Sequence, residues 1–105
     1  DRIFIFTPKG DVIDLPDGSS PIDFAYSIHS DIGDHIGSAK VNGKIVQILS
    51  TLQNGDIVEI TTKKDSHPSS KWLEYTKSSV AKKHIRNYLE KNSLLAKLKS
   101  LGRSS

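Results

Sequence analysis

The stretch Ser20–Ile36, SPIDFAYSIHSDIGDHI, decides how the rest of the chain is read. Ser20 can accept hydrogen bonds from the first unpaired N–H groups of a helix, and Pro21 suits the first helical position. Asp23, at the third helical position after Ser20, completes a capping-box-like start. Ile22, Ala25, Tyr26 and Ile28, with Phe24 pairing onto Ile28, form an apolar stripe at helical spacing. The pattern predicts one short helix ending near His29, with Gly33 at a left-handed exit and a loop over Asp31–Ser38. His29, Ser30, Asp31, Asp34 and His35 are then delivered together at the helix end, where polar side chains have no core position to fill.

Outward from that helix, the flanking segments read as strands. Ile3–Thr7 (IFIFT) is β-branched and aromatic, Pro8-Lys9-Gly10-Asp11 is a turn, and Val12–Leu15 returns as the second arm of a hairpin. Ala39-Lys40-Val41, Asn42-Gly43 and Lys44-Ile45-Val46 form a second hairpin around the dipeptide that most favours a type I′ turn. Leu49–Leu52 reads as a turn or a single helical turn, and Ile57–Thr62 (IVEITT) is the strongest isolated strand. A helix between an N-terminal hairpin and later strands can cover one face of a mixed sheet with its first and last strands as central neighbours. The expected fold class is therefore α+β, a β-grasp (ubiquitin-like) mixed sheet with one covering helix, followed by a C-terminal helical segment. The uncovered face of the sheet should carry polar residues at alternate positions of Ile57–Thr62.

Composition bounds the possibilities. The 105 residues are 35% hydrophobic and 26% charged, and no apolar run approaches the roughly 20 residues that span a bilayer. The absence of cysteine excludes disulfides and thiolate chemistry and fits a reducing compartment, so a cytoplasmic location is expected. A first residue Asp1 and no methionine suggest a piece of a longer protein. The net charge of +3 hides an asymmetry: residues 1–62 hold 4 Lys/Arg against 9 Asp/Glu, and residues 63–105 hold 11 against 3. A basic tail on an acidic body points to an RNA- or phosphate-facing segment, or to contact between the two parts.

These shifts divide the chain into 1–63, the β-grasp unit; 64–70, a linker rich in charge, Ser and Pro; and 71–105, a helical segment partly disordered at its C-terminus. In the last part Ser78 or Ser79 can cap a helix whose Ala81, Ile85, Tyr88 and Leu89 share a face. Leu94, Leu95, Leu98 and Leu101 continue the stripe, and because so short a helix is marginal alone in water, it should pack on something. Trp72 is expected in the core.

The polar group at the helix end admits several chemistries. His29, Asp31, Asp34 and His35 have the donor types of a zinc or manganese site but lack the i, i+4 histidine pair of a metallohydrolase helix. His29-Ser30-Asp31 has the residue types of a hydrolase triad, yet sequence neighbours rarely converge in that geometry. Gly33 and Gly37 fit no phosphate-loop pattern. No catalytic group, metal or cofactor is expected, which leaves binding. An imidazole on a loop can stack on an unpaired base or donate to a ribose hydroxyl, and lysines can meet phosphates. The RNA-facing set is His29, His35, Lys40 and Lys44, with Lys82, Lys83 and Arg86 as further contacts on the tail. On residue types alone, a histidine that merely ends a helix and lysines that are merely solvated make the simpler reading.

A resemblance adds to this. Phe6-Thr7-Pro8-Lys9-Gly10-Asp11, Asp23 through His35, Ala39-Lys40-Val41-Asn42-Gly43 and Asn54 through Ile60 resemble the TGS domain of long RelA/SpoT-type (p)ppGpp synthetase/hydrolases. His67 through Leu73 and Ser79 through Tyr88 look like the start of the helical domain that follows it. The resemblance implies a β-grasp domain in the regulatory half of a cytoplasmic multidomain protein, a GTP diphosphokinase and/or pyrophosphohydrolase whose catalytic domains lie elsewhere. It further implies that the domain, on the ribosome, reads the CCA 3′ end of deacylated tRNA, with His29 at that contact and a free terminal ribose preferred sterically. Acyl carrier protein, or the catalytic domains of the same chain, are the alternative partners. The sequence departs from the family at Ile36-Gly37-Ser38, at Gln47–Thr51, and at Val80, Lys82 and His84, where relatives are often arginine-rich; arginine grips phosphate better than these residues do.

Overall fold

The computed structural model describes residues 1–103 as β1 (Arg2–Phe6), β2 (Val12–Pro16), α1 (Pro21–Ile28), α2 (Ser30–Asp34), β3 (Ile36–Val41), β4 (Lys44–Val46), β5 (Val58–Thr62), α3 (Ser70–Glu74) and α4 (Ser79–Arg103). The α+β class follows directly. Both hairpins form as the turn chemistry dictates. Asn42 and Gly43 both take positive φ, +52° and +84°, the signature of the type I′ turn joining β3 to β4. At the first hairpin, Gly10 at φ +91° lets its N–H reach the Thr7 carbonyl while the Asp11 N–H reaches Thr7 Oγ1. Gln47–Leu52 forms a turn, not a helix, closed by the Ser50 N–H and hydroxyl on the Gln47 carbonyl.

The first and last strands are neighbours, but the sheet between them is not continuous. β1 pairs with β2, β5 pairs with β3, and β1 meets the approach to β5 through one parallel bridge, Phe6 to Ile57. Phe6 N–H donates to the Asp56 carbonyl and Gly55 N–H to the Phe4 carbonyl, both at 2.8 Å, and the Asn54 side chain accepts from Phe4 N–H. The reason is length: β1 ends at Phe6 and turns away at Pro8, while β5 begins at Val58 and runs past it. One edge of β5 therefore has no strand beside it beyond Ile57 among the described residues. Along β5 the faces alternate as expected: Val58 is buried and Ile60 half-buried, while Glu59 and Thr61 are exposed.

α1 is covered on two sides. Phe24 packs with Ile3, Ile5, Leu15, Leu52 and Val58 against the strands. Ile22, Ala25 and Tyr26, which the stripe assigns to the sheet, instead join Ile36, Trp72, Ala81 and Ile85 in a second cluster under α3 and α4. Residues 21–26 are consequently all buried, and Ile28, at 41% exposure, is not. Trp72 is a core residue, and the tail packs on α1 through α3 and the first turns of α4. Residues 90–102 of α4 are exposed, Leu94, Leu95, Leu98 and Leu101 included. The helix, about 37 Å long at 1.5 Å per residue, accounts for the elongated 56 × 27 × 19 Å shape. It extends to Arg103; residues 104–105, the last of the tail expected to be partly disordered, lie outside the described residues. The segment 64–70 is tied down: Ser66 accepts from the His35 ring and Pro68 is buried. Among the described residues no helix is long and apolar enough to cross a membrane.

Two polar contacts fasten the helices. The Asp23 carboxylate, fully buried, accepts from Ser20 N–H (2.9 Å) while Asp23 N–H donates to Ser20 Oγ (3.5 Å), the capping box, and the carboxylate accepts from the Ser20 hydroxyl as well (3.2 Å). It also accepts from the main-chain N–H groups of Lys77 (3.0 Å) and Ser78 (2.9 Å), which lead into α4; Ser78 Oγ then caps α4 by accepting from Ala81 N–H. In the second contact Tyr26 donates to Asp34 Oδ1 at 2.7 Å and stacks on the His84 ring, with centroids 5.7 Å apart and planes 3° from parallel. Burial, reinforced by the Asp34 carboxylate, pushes the Tyr26 hydroxyl pKa well above its ordinary value.

Replacing Asp23 with Ala orphans buried N–H groups on both helices and should cost about 3 kcal/mol in urea unfolding; Asp23→Asn, which keeps an acceptor, should cost less. Because the folded state holds the Tyr26 proton more tightly than the unfolded chain, that contribution is intact below about pH 10 and declines as pH rises above it. Unfolding measured from pH 8 to 11 should therefore show an alkaline loss of stability that Tyr26→Phe reduces.

Candidate nucleic-acid interface

α1 does not simply stop at His29. His29 adopts extended backbone, φ −168° and ψ 147°, serving as C-cap of α1 and N-cap of α2 at once. Its Nδ1 accepts from Asp31 N–H at 3.1 Å, which places the ring proton on Nε2. Asp31 Oδ2 is 3.8 Å from the same nitrogen, too far to compete as a direct hydrogen bond. The side chain is 63% exposed. His29 thus offers solvent a ring face and an Nε2–H donor, from a backbone position fixed on both sides by helix.

The residues expected to loop out after His29 are in fact α2, five residues long. Gly33 is helical within it and is not a left-handed exit, since the glycines at positive φ are 10, 18, 43 and 55. Its lack of a side chain has another cause: a Cβ there would lie 2.2 Å from Cδ1 of Tyr26. The absent side chain lets α2 lie directly on the Tyr26 ring. His35 ends α2, and its Nδ1 donates to the Ser66 carbonyl at 2.9 Å, leaving Nε2 as an acceptor. The two histidines therefore carry opposite hydrogen-bonding character, one a donor and the other an acceptor.

Two adjacent depressions lie beside α2 and β5. One, of about 400 Å³, is mostly apolar, with Pro8, Phe24, Ile28, Ile32 and Ile60 in its walls, and occupies the gap where β1 has ended. The other, of about 350 Å³, is lined by Asp31, Ile32, His35, Thr62, Lys63 and Lys64. Ile32 and Thr62 belong to both. His29 itself lines neither depression, but Ile28 before it and Ile32 three residues after it do, in a groove that passes from an apolar to a basic section.

The other expected contacts fall elsewhere. Lys40 and Lys44 are exposed on the β3–β4 hairpin and line neither depression. Lys44 is paired with Val41, at the far end of β3 from His35, a separation of roughly 17 Å along the strand. On α4, Lys82 Nζ donates to the Leu73 carbonyl and so closes α3, whereas Lys83 and Arg86 are exposed. Lys63 and Lys64, which the sequence reading placed as the last residue of the β-grasp unit and the first of the linker, are the lysines in the groove. The available signal was their place directly after the strongest strand. Among the described residues no three His, Asp or Glu side chains are grouped to hold a metal ion.

A family model described as the TGS domain matches residues 3–62. The chain is 51% identical over 90 residues to a GTP pyrophosphokinase of Myxococcus xanthus, covering 86% of this chain and 12% of that protein. It is 46% identical over 91 residues to a guanosine-3′,5′-bis(diphosphate) 3′-pyrophosphohydrolase of Aquifex aeolicus, covering 87% of this chain and 13% of that protein. Against a GTP pyrophosphokinase of Escherichia coli K12 it is 56% identical over 73 residues, 70% of this chain and 10% of the relative. The chain thus spans about an eighth of the length of such relatives. The matched residues run from β1 to the end of β5 and take in α1, α2 and the apolar section of the groove, while Lys63 and Lys64 of the basic section follow directly after them; on this footing the chain belongs to the TGS domain family.

Proposed function

We propose that this TGS domain is a regulatory, non-catalytic module of a stringent-response (p)ppGpp synthetase/hydrolase. In this reading it binds the CCA 3′ end of deacylated tRNA on the ribosome and relays that state to catalytic domains in the same polypeptide. The observation that carries the reading is the His29 ring, exposed and held in one tautomer by its cap to Asp31, with its chain neighbours Ile28 and Asp31 in the walls of the groove. An unpaired base can stack on the imidazole face, a ribose hydroxyl can accept from Nε2–H, and the Lys63–Lys64 section suits the phosphates. A free 3′ terminus fits such a contact, whereas an esterified amino acid would collide or leave a polar group unpaired.

A second reading, docking of an acidic carrier protein or of the parent's own catalytic half, draws on a different surface. Phe4, Val12 and Ile45 on the strands and Ile57 just before β5 stand 48–67% exposed, apolar side chains that protein contact would cover.

The test is a fluorescence titration with a CCA-ended RNA minihelix. His29→Asn keeps an acceptor for the α2 cap but removes the ring; it should lower affinity about tenfold, near 1.4 kcal/mol, with an unchanged melting temperature. Aminoacylation of the minihelix should weaken binding to the unsubstituted domain. Equal affinity of both proteins for the RNA would defeat the proposal, and NMR shifts with a carrier protein confined to Phe4, Val12, Ile45 and Ile57 would favour the second reading.

A further inference from the structure

α2 is too short to hold itself in place. A single helical turn is unstable in isolation, so the contacts around α2, together with the end of α1 that His29 also caps, set how its N-cap, His29, is presented. Three of these contacts meet at Tyr26. Its ring lies against Gly33, its hydroxyl donates to Asp34 at 2.7 Å, and its ring stacks on His84 of α4. His35, at the other end of α2, is fastened to Ser66 at 2.9 Å. Tyr26 thus touches α2 and α4 together, and α4 is itself seated on α1 by the main-chain bonds from Lys77 and Ser78 to Asp23.

We infer that His84 is a positioning residue for His29: through the Tyr26 ring, α4 fixes α2, so that RNA-end binding at His29 and the seating of α4 on α1 are coupled. The inference rests on the reading of His29 as an RNA contact, and it supplies that site with a route into the helix through which a bound state would be passed on. The coupling is reciprocal by thermodynamic necessity: what seats α4 favours the RNA, and the RNA favours seated α4. The stacked pair needs a flat ring at position 84 and not a charge, because the contact is plane on plane.

The experiment compares the unsubstituted domain with His84→Ala and His84→Phe. His84→Ala should shift and broaden the His29 imidazole NMR signals without RNA present, and should weaken minihelix binding about fivefold or more. His84→Phe, which restores a planar ring, should return both readouts towards the original, a rescue that general destabilisation would not give. In the reciprocal arm, minihelix should slow hydrogen exchange of the α4 amides over residues 82–89 in the unsubstituted domain, and less so in His84→Ala. Unmoved His29 signals in His84→Ala, or equal defects in the Ala and Phe variants, would overturn the coupling. If the unsubstituted domain fails to bind minihelix at all, the RNA reading of His29 falls, and the RNA-free His29 signals still decide whether α4 positions that residue.

Discussion

The structure depends on a carboxylate kept out of water. Taking an ionised Asp into a protein interior is costly unless hydrogen bonds replace its hydration, and Asp23 is fully buried. The replacement comes from two directions: the capping box at Ser20 and the main-chain N–H groups of Lys77 and Ser78. The same group therefore starts α1 and anchors the residues before α4, more than fifty positions along the chain. A conventional helix cap has become the joint between the sheet-bearing part of the molecule and its basic tail.

With that joint made, the rest of the packing follows. α1 acquires a second covered side, so Ile22, Ala25 and Tyr26 bury against α3 and α4 while Phe24 alone among the central helix residues reaches the strand cluster. Tyr26 then has a polar end that must be satisfied, and Asp34 supplies the acceptor from α2. The groove arises from a mismatch in strand length: β1 stops, β5 continues, and α2 lies beside the vacated edge. His29 is exposed because the main chain changes direction there, between two helices that meet at its cap.

Much of this was legible from local rules. Ser20-Pro21 with Asp23 specified the start of α1, and Asn42-Gly43 specified the second hairpin, because caps and turns are decided by neighbours in sequence. The readings that failed were those in which the deciding atom is remote. Gly33 looked like a helix exit since its true reason, the Tyr26 ring, lies seven residues back and across a helix boundary. The apolar stripe of α1 was visible, but which of two partners each residue faces depends on where Trp72 and Ile85 arrive. Lys63 and Lys64 were hidden in a segment whose composition reads as linker, although Lys63 N–H is bonded to the His35 carbonyl. His29 was recognisable as a residue of interest, whereas its double duty as a cap, which sets its tautomer, required the geometry.

The narrow contact between the two-stranded and the three-stranded sheet has a mechanical meaning. A continuous five-stranded sheet resists shear through a full ladder of main-chain bonds, but here the N-terminal hairpin is stitched to the remainder near Phe4, Phe6, Asn54 and Asp56. Such a seam can act as a hinge, letting the Thr7–Pro8 corner swing relative to β5 without breaking either hairpin. Thr7 and Pro8 line the apolar depression together with Ile60 of β5, so a molecule seated there would touch both sheets and add to the few main-chain bonds that join them.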